Sequence, residues 1–259
     1  MIRTTVYILS IILLAAALGG CGKKRHELKS HAGQVNLELF IAARIENAQE
    51  AQRALILGAD LEGLDRNGLT PLLAAAYNDS SRIDVSALLI EKGAELEARD
   101  SGGKTALLVA IEKDKSALAK LLIEKGADIN VRDKRNQSPL YLSIKKDRED
   151  LVALLLEKGV DQSAQIQLPL ITATFNNNLN IVKMLLDKGA DVNASGDEGW
   201  TALHASASGN FYRIASLLLE KGADPLIKDA RGQLPTFYAS RQVLNLLKSA
   251  EEKAEEKGK

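Results

Sequence analysis

The chain has 259 residues, of which 46% are hydrophobic and 26% charged, and its 34 Lys and Arg residues balance 34 Asp and Glu residues. This globular composition supplies a substantial core, and a formal charge of zero argues against nucleic acid as a partner, because phosphate binding needs a strongly basic face. A single cysteine excludes an internal disulfide and a cysteine-rich zinc site, and the three histidines (His26, His31 and His204) are too scattered to predict a metal site.

The amino terminus predicts an export signal. Arg3 is followed by the uncharged run VYILSIILLAAAL at residues 6–18. A basic start and a short apolar run are typical of a secretory signal peptide, whereas a membrane-spanning helix needs about 18 or more apolar residues. The run ends in LGGC, residues 18–21, which resembles the lipobox of bacterial lipoproteins. We therefore predict a signal peptide over residues 1–20. Two alternatives stay open: an ordinary signal peptide with an incidental cysteine, and a short membrane anchor.

The lipobox resemblance implies cleavage after Gly20 and acylation of Cys21, so the lipid bilayer is one expected partner. Several acyl chains, each contributing about 0.8 kcal/mol per buried methylene, anchor a protein stably. In lipoproteins of two-membrane bacteria, Asp after the cysteine retains the protein at the inner membrane. Gly22 stands there in this chain, so an outer-membrane location facing the periplasm is expected. Residues 21–34 are predicted to form a flexible tether, and its KKR at residues 23–25 could alternatively contact anionic head groups.

Two short motifs then recur along most of the chain. Glycine turns are spaced by 35, 33, 33, 30 and 33 residues, at Gly58, Gly93, Gly126, Gly159, Gly189 and Gly222. A second motif follows these glycines at a nearly constant distance, and it begins at Thr70, Thr105, Ser138, Leu168, Thr201 and Leu234. A period of this length indicates a solenoid, in which each unit stacks on its neighbours.

The period of about 33 residues, with Thr-Pro-Leu or Thr-Ala-Leu in each unit, resembles the ankyrin repeat. The resemblance covers about residues 35–249. It implies an all-α repeat solenoid of about seven units including caps, in which helix pairs stack side by side and hairpin or loop fingers project from them. The first unit, from Asn36, and the truncated last unit, from Asp229, are expected to cap the stack. Residues 250–259 form a charged tail, for which a frayed helix or disorder is expected.

Local chemistry supports this interpretation within single units. In residues 100–132, Thr105 is expected at a helix N-cap, where its hydroxyl can accept a hydrogen bond from a backbone N–H. Gly126 is expected to end the second helix in the left-handed conformation. Two units depart from the period. Two extra residues between positions 71 and 93 are expected in the loop between helices, and three missing residues between positions 159 and 169 predict a shortened finger.

Catalytic signatures are absent from the sequence. It contains no G-x-S-x-G, no H-E-x-x-H and no phosphate-binding glycine loop. His204 stands on the histidine position of the ankyrin motif, which implies a structural hydrogen-bonding role. We predict that the chain is not an enzyme and takes no metal, cofactor or small-molecule substrate.

The ankyrin resemblance implies that finger tips and first-helix faces line a groove that binds another protein. Carried over through the periodicity of this sequence, the predicted partner-binding residues are Arg66, Leu69, Tyr77, Lys104, Lys113, Lys134, Arg135, Lys145, Lys146, Phe175 and Trp200. Trp200, the only tryptophan, is expected to be an exposed anchor, or alternatively to pack along its own finger. Six cations of this set cluster on the central units and predict a basic groove and an acidic partner surface, with a solvated lysine face as the alternative; they are Lys104, Lys113, Lys134, Arg135, Lys145 and Lys146.

These observations predict a membrane-tethered, protein-binding scaffold in the periplasm that acts through a rigid groove without a covalent step. Two narrower alternatives stay open. One is an immunity or inhibitor protein that neutralises an envelope-acting toxin or hydrolase. The other is a protective or assembly factor for an envelope enzyme, such as a peroxide-defence protein, a role that some bacterial periplasmic ankyrin proteins suggest.

Overall fold

A computed structural model describes residues 23–161 and 168–257. The predicted signal peptide, Cys21 and most of the predicted short finger (residues 162–167) lie outside the described residues. Within the described part, the structure is all-helical without a β-strand, and the predicted repeat solenoid is confirmed. None of the described helices combines the length and the apolar character that crossing a membrane requires.

Fourteen described α-helices form seven consecutive pairs. The first helices of the pairs are α1 (Lys23–Ile45), α3 (Pro71–Tyr77), α5 (Ala106–Glu112), α7 (Pro139–Lys145), α9 (Pro169–Phe175), α11 (Ala202–Ser208) and α13 (Pro235–Tyr238). The second helices are α2 (Ala48–Ile56), α4 (Asp84–Glu91), α6 (Ser116–Glu124), α8 (Glu149–Glu157), α10 (Leu179–Asp187), α12 (Tyr212–Glu220) and α14 (Arg241–Lys257). Seven pairs agree with the predicted number of units.

The pairs stack in two layers. Each first helix contacts the next first helix, and each second helix contacts the next second helix. Between the layers runs one apolar core that extends from Leu39 to Leu247. Small residues such as Ala75 and Ala110 are fully buried in it, which lets neighbouring helices approach closely. The stack therefore derives its stability from contacts between neighbours, as expected for a solenoid.

The recurring glycines end the second helices as predicted. All six have positive φ, from 78° at Gly159 to 90° at Gly222, a conformation that residues with a Cβ rarely adopt. The glycine N–H and the N–H of the next residue donate hydrogen bonds to carbonyl oxygens of the preceding helical turn. For example, Gly126 N–H donates to Ile123 O at 3.1 Å, and Ala127 N–H donates to Leu122 O at 3.0 Å. These bonds reverse the chain at the same point of each unit.

The first helices begin at the predicted cap positions. The hydroxyl oxygens of Thr70 and Ser138 accept hydrogen bonds from N–H groups three residues later, at 3.4 and 3.1 Å. Thr105 occupies the N-cap position as well, but its buried hydroxyl makes no hydrogen bond, so the expected cap bond is absent in that unit. Pro at the first helical position, as in Pro71 and Pro139, presets the backbone angle there.

The predicted tether differs from the expectation, whereas the tail is helical, which is one of the two alternatives expected for it. Helix α1 begins at Lys23 and runs without a break into the first unit, so residues 23–34 are helical and not an unstructured tether. Apart from Gly33, this segment is free of residues that strongly disfavour a helix. At the other end, α14 continues through the charged run to Lys257. Helical continuity therefore reaches past both predicted domain boundaries.

The loop is longer where the sequence predicted two extra residues. The loop between α3 and α4 spans six residues, 78–83, whereas the corresponding loop between α5 and α6 spans three, 113–115. Helix α4 is one residue shorter than α6, so the net excess is two residues. The longer loop begins at Asn78, whose side chain is buried next to Glu46 and Lys115. The insertion is thus held by polar side chains from the units on both sides.

A buried polar network connects the first three units at this loop. Asn78 donates to Glu46 Oε2 at 2.8 Å, and Val85 N–H donates to Glu46 Oε1 at 2.8 Å. Lys115 Nζ donates to Asn78 Oδ1 at 2.6 Å and to Ala75 O at 3.0 Å. Burial lowers the pKa of Lys115, and the nearby Glu46 carboxylate partly offsets that effect. Glu46 therefore satisfies two buried donors and balances a buried cation.

We expect Glu46→Ala to lower the free energy of unfolding by about 2–4 kcal/mol, because it leaves buried donors and a buried ammonium group without the carboxylate. Glu50→Ala, at an exposed position in the next helix, is the matched control and should change it by no more than about 0.5 kcal/mol. Urea denaturation of both variants measures the difference. Equal unfolding midpoints would show that the network does not contribute to stability.

His204 has the structural role that its motif position implies. Its ring is fully buried. Thr201 N–H donates to Nδ1 at 3.2 Å, and Nε2 lies 3.2 Å from Gln233 O, to which it donates. This geometry holds a neutral ring, since protonation would place a hydrogen on Nδ1 opposite the Thr201 N–H. Burial lowers the pKa of His204 below its ordinary value of 6.5.

Because the pKa of His204 is lower in the folded than in the unfolded state, its contribution to stability is complete above about pH 6.5 and decreases as the pH falls below that value. We expect the melting temperature to decrease between pH 7.5 and pH 5.5, and His204→Gln to reduce this decrease. A chain with His26→Gln and His31→Gln controls for the other two imidazoles. The expectation fails if the His204→Gln chain retains the full pH dependence of the original.

Candidate partner-binding groove

The fingers between the units are built on aspartates. Asp65, Asp100, Asp133 and Asp229 each accept two backbone N–H bonds with Oδ1, from the residues two and four positions later, at 2.8–3.0 Å. These side-chain bonds close each turn without help from a partner. These four finger tips therefore keep their backbone conformation through hydrogen bonds within the chain, before any partner binds.

Neighbouring fingers are also bonded to one another. Lys134 N–H donates to Gly102 O at 2.9 Å, and Ala230 N–H donates to Glu198 O at 2.8 Å. The guanidinium of Arg99 donates to the carbonyls of Gly103 and Arg132, at 2.9 and 2.8 Å. Side chains on adjacent finger tips are thus held at fixed separations, and such preorganisation reduces the entropy that binding would otherwise lose.

One hollow between first helices and fingers is an aromatic cleft of about 550 Å³. It is formed by α7, α9 and the finger at residues 196–200, and it is lined by Tyr141, Leu168, Ile171, Thr172, Phe175, Gly196, Asp197, Glu198 and Trp200. Phe175 and Trp200 are stacked, with ring centroids 6.0 Å apart and planes at 19°. The cleft combines an apolar floor with two carboxylates at its rim, a combination typical of binding sites.

The structure corrects the expectation for Trp200. Its ring is half-buried rather than exposed, because Tyr238 of the following unit packs on it with centroids 4.8 Å apart. Tyr238 is in turn held by a hydrogen bond of 2.5 Å from its hydroxyl to Asp229. The exposed aromatic side chain of the cleft is Phe175, of which 54% is accessible. Trp200 therefore supports the cleft and Phe175 is available to a partner.

The predicted cations divide into two groups. Lys104, Lys113 and Lys146 form ion pairs with Glu112 at 2.5 Å, Asp79 at 3.6 Å and Asp114 at 3.2 Å. Within the described residues, Lys134, Arg135 and Lys145 have no carboxylate within 4.0 Å, and all three are exposed. Half of the predicted basic surface is thus neutralised locally, since carboxylates of neighbouring helices and loops reach it.

The other predicted residues occupy different environments. Tyr77 is half-buried and its hydroxyl donates to Asp100; burial and this hydrogen bond raise the pKa of Tyr77 above its ordinary value. Leu69 is half-buried against the core, so it stabilises its finger. Arg66 is exposed and lines a second hollow, of about 610 Å³, at the amino-terminal end of the stack. These residues therefore do not form one continuous site with the cleft.

Of the nine residues that line the cleft, only Phe175 and Trp200 belong to the predicted partner-binding set. Tyr141 and Ile171 also line it, and Tyr238 supports it by packing on Trp200. Tyr141 and Ile171 stand on the same repeat position as His204, three residues after Ser138 and Leu168. An aromatic side chain on that position could have identified Tyr141. Nothing in the last unit indicated that Tyr238 would contact Trp200, which lies 38 residues earlier in the chain.

Comparison with known proteins identifies the repeat. The family model described as ankyrin repeats (3 copies) matches residues 39–133, 128–196 and 161–229. Among curated proteins, the B-cell lymphoma 3 protein homolog of Mus musculus is 37% identical over 87 residues, which cover 33% of this chain and 19% of that protein. The human 2-5A-dependent ribonuclease is 39% identical over 72 residues, or 27% of this chain and 10% of that protein. The chain thus spans a small part of these relatives, one of which is an enzyme.

Solved structures resemble most of the chain. The ankyrin repeat domain of Bcl-3, a member of the IkappaB protein family, has a TM-score of 0.72 at 30% identity and covers 82% of this chain and 97% of that domain. An ankyrin repeat domain from Acinetobacter baumannii AYE has a TM-score of 0.67 at 25% identity and covers 72% of this chain and 98% of that domain. Since the family model matches more than half of the chain, in agreement with the stacked helix pairs, the chain belongs to the ankyrin-repeat family.

Proposed function

We propose that this protein is a membrane-tethered scaffold that binds another protein through the aromatic cleft and the adjoining finger tips. The observation that carries the proposal is the exposed ring of Phe175 at the end of α9, which lines an apolar hollow beside the finger at residues 196–200, and that finger is bonded to the next one. Ankyrin repeats typically bind other proteins, which is consistent with a recognition role. No bond is made or broken in the proposed mechanism.

Binding would draw on burial of an exposed aromatic ring. Aromatic anchors in the centre of an interface often contribute about 2 kcal/mol or more each. The finger of the cleft, at residues 196–200, is held by the bond from Ala230 N–H to Glu198 O, and the next finger is closed on Asp229, so a partner does not have to order them. A stack of this size suits an interface of standard area, about 1,600 Å².

The charges on the two sides of the cleft differ in sign, and this difference predicts how a partner segment is oriented in it. Lys145 Nζ lies 5.9 Å from the ring centroid of Tyr141 on one wall of the cleft, and Lys134 and Arg135 are exposed on the neighbouring finger. Asp197 and Glu198 line the opposite rim. We infer a partner segment that places acidic residues against the lysine side, an apolar side chain in the cleft and a neutral or basic residue near Asp197.

The proposed location is the outer membrane, on its periplasmic side. It rests on the resemblance of LGGC at residues 18–21 to a lipobox and on Gly22 after the cysteine. The acyl chains on Cys21 would hold the scaffold at the bilayer. The scaffold would then capture its partner close to the membrane surface.

We expect Phe175→Ser to reduce capture of the partner by at least about tenfold, because a hot-spot loss of 2 kcal/mol exceeds a factor of ten. The measurement is crosslinking and quantitative mass spectrometry of proteins captured from native envelopes. Tyr212→Ser is the matched control, because Tyr212 is 45% accessible on α12, a second helix, and does not line the cleft. It should leave capture unchanged.

The same capture experiment tests the predicted acidic surface of the partner. Lys134→Glu with Lys145→Glu should weaken capture of the same protein, and the loss should shrink as salt is added, because the interaction is screened. Equal capture by the original chain and by Phe175→Ser would contradict the placement of the site. Unchanged capture by the charge variant would contradict only the acidic partner surface.

A second experiment tests the anchor. We expect the N-terminal peptide of the membrane-extracted protein to begin at an acylated Cys21, and Cys21→Ser to abolish both the acyl mass and processing after Gly20. Mass spectrometry of the N-terminal peptide and membrane fractionation measure these outcomes. A cleaved Cys21→Ser chain that still fractionates with membranes would refute the lipid anchor.

A further inference from the structure

Exposed apolar side chains concentrate at the amino-terminal end of the stack. Leu37 and Ile41 are 59% and 49% accessible on α1, and Leu64 on the first finger is 67% accessible. All three line the hollow of about 610 Å³ at this end. We call Leu37, Ile41 and Leu64 the apolar end face.

The repeat shows what two of these positions normally do. Ile41 corresponds to Ala74, Val109 and Leu142 of the following units, and all three are buried in first helices that pack on the preceding first helix. Leu37 corresponds to Thr70, Thr105 and Ser138, which are buried as well. Ile41 therefore stands on a stacking position for which the described residues provide no preceding unit.

A terminal unit of a solenoid usually presents a polar outer face, because an apolar one promotes association. This end instead carries Leu37 in place of the Thr or Ser of the following units, and it keeps an apolar residue, Ile41, on a stacking position. The apolar end face therefore favours association with an apolar surface outside the described stack.

The position of the end face in the chain indicates what covers it. Helix α1 starts at Lys23, two residues after Cys21, and it continues without interruption to Ile45. At a rise of about 1.5 Å per residue, Leu37 lies about 21 Å along the helix from its start. The unbroken helix therefore keeps the end face within a short, fixed distance of the predicted anchor.

Basic residues near the end face indicate that an anionic bilayer covers it. The first turn of α1 carries Lys23, Lys24 and Arg25 in sequence. Arg66 is exposed at the rim of the hollow, and half of the Arg44 side chain is accessible although it pairs with Asp65 at 2.6 Å. Apolar side chains combined with basic residues are typical of proteins that lie on anionic bilayers.

We propose that the apolar end face docks onto the surface of an anionic lipid bilayer, so that α1 lies along the membrane and the stack stands on its first unit. The proposal rests on the lipid anchor of the proposed function and adds an orientation to it. Helices pack about 8–10 Å apart, so Phe175, four units further, is held roughly 30–40 Å from the bilayer. The anchor alone would leave that distance undefined.

The test uses the full chain with its own amino terminus, reconstituted in vesicles of phosphatidylethanolamine and phosphatidylglycerol. Ile41→Cys carries an environment-sensitive fluorophore. Ile56→Cys and Phe237→Cys are the controls, because Ile56 and Phe237 are more exposed than Ile41, at 70% and 67%, and do not line the hollow. We expect nitroxide-labelled lipid to quench the probe at position 41 several-fold more strongly than at 56 or 237. Equal quenching at all three positions would overturn the docking.

Two other occupants give different results. A second copy packed end to end would produce energy transfer between position-41 probes that depends on protein concentration, without lipid quenching. A segment of residues 1–22 folded over the end face would shift the emission of the probe to shorter wavelength, also without lipid quenching. Either result would overturn the proposal.

Mass spectrometry of the N-terminal peptide separates this proposal from the anchor. Acylated Cys21 with an unquenched position 41 means that the anchor is right and the docking is wrong. A quenched position 41 without acylation means that the docking is right and the anchor is wrong.

A second measurement uses a probe at position 64. The double variant Leu37→Ser with Ile41→Ser should reduce quenching of this probe several-fold compared with the control Ile56→Ser, and circular dichroism reports whether both variants fold. Unchanged quenching in the folded double variant would contradict the docking.

Discussion

The structure depends on the inability of one helix pair to bury its own apolar face. The first helices α3, α5, α7, α9 and α11 have seven residues each, and isolated helices this short are not stable in water. Stability comes from the neighbours on both sides, which together form one core from Leu39 to Leu247. Every unit therefore needs a neighbour, and this need determines what the interior and the ends of the stack can do.

Regular and irregular units serve different purposes under this constraint. Regular units repeat the same glycine turn, the same cap and the same aspartate-centred finger, and they provide a rigid frame. Irregular units carry the features that distinguish this protein. The lengthened loop at residues 78–83 is held by the Glu46 network, the aromatic cleft includes Leu168, the first described residue after the deletion, and the first unit presents an apolar end face. Candidate functions arise where the repeat is interrupted.

The sequence predicted the fold well because its signals are local. Gly126 and its equivalents adopt positive φ as expected, and the insertion lies in the predicted loop. The candidate site was predicted in part. Phe175 is exposed and lines a cleft, whereas Trp200 is half-buried and Lys104, Lys113 and Lys146 are paired with carboxylates. The signal peptide and the acylation of Cys21 stay predictions.

The sequence by itself determined the period, the number of units, the turns and the cap positions, since each depends on contacts within a few residues. Only the tertiary structure decided which side chains face solvent, because that depends on residues about one repeat away. Tyr238 covers Trp200 across 38 positions, Asp114 neutralises Lys146 across 32, and Ile41 is exposed because the described stack holds no unit before it. A repeat pattern specifies the surface of each unit, but the neighbouring units decide how much of it is covered.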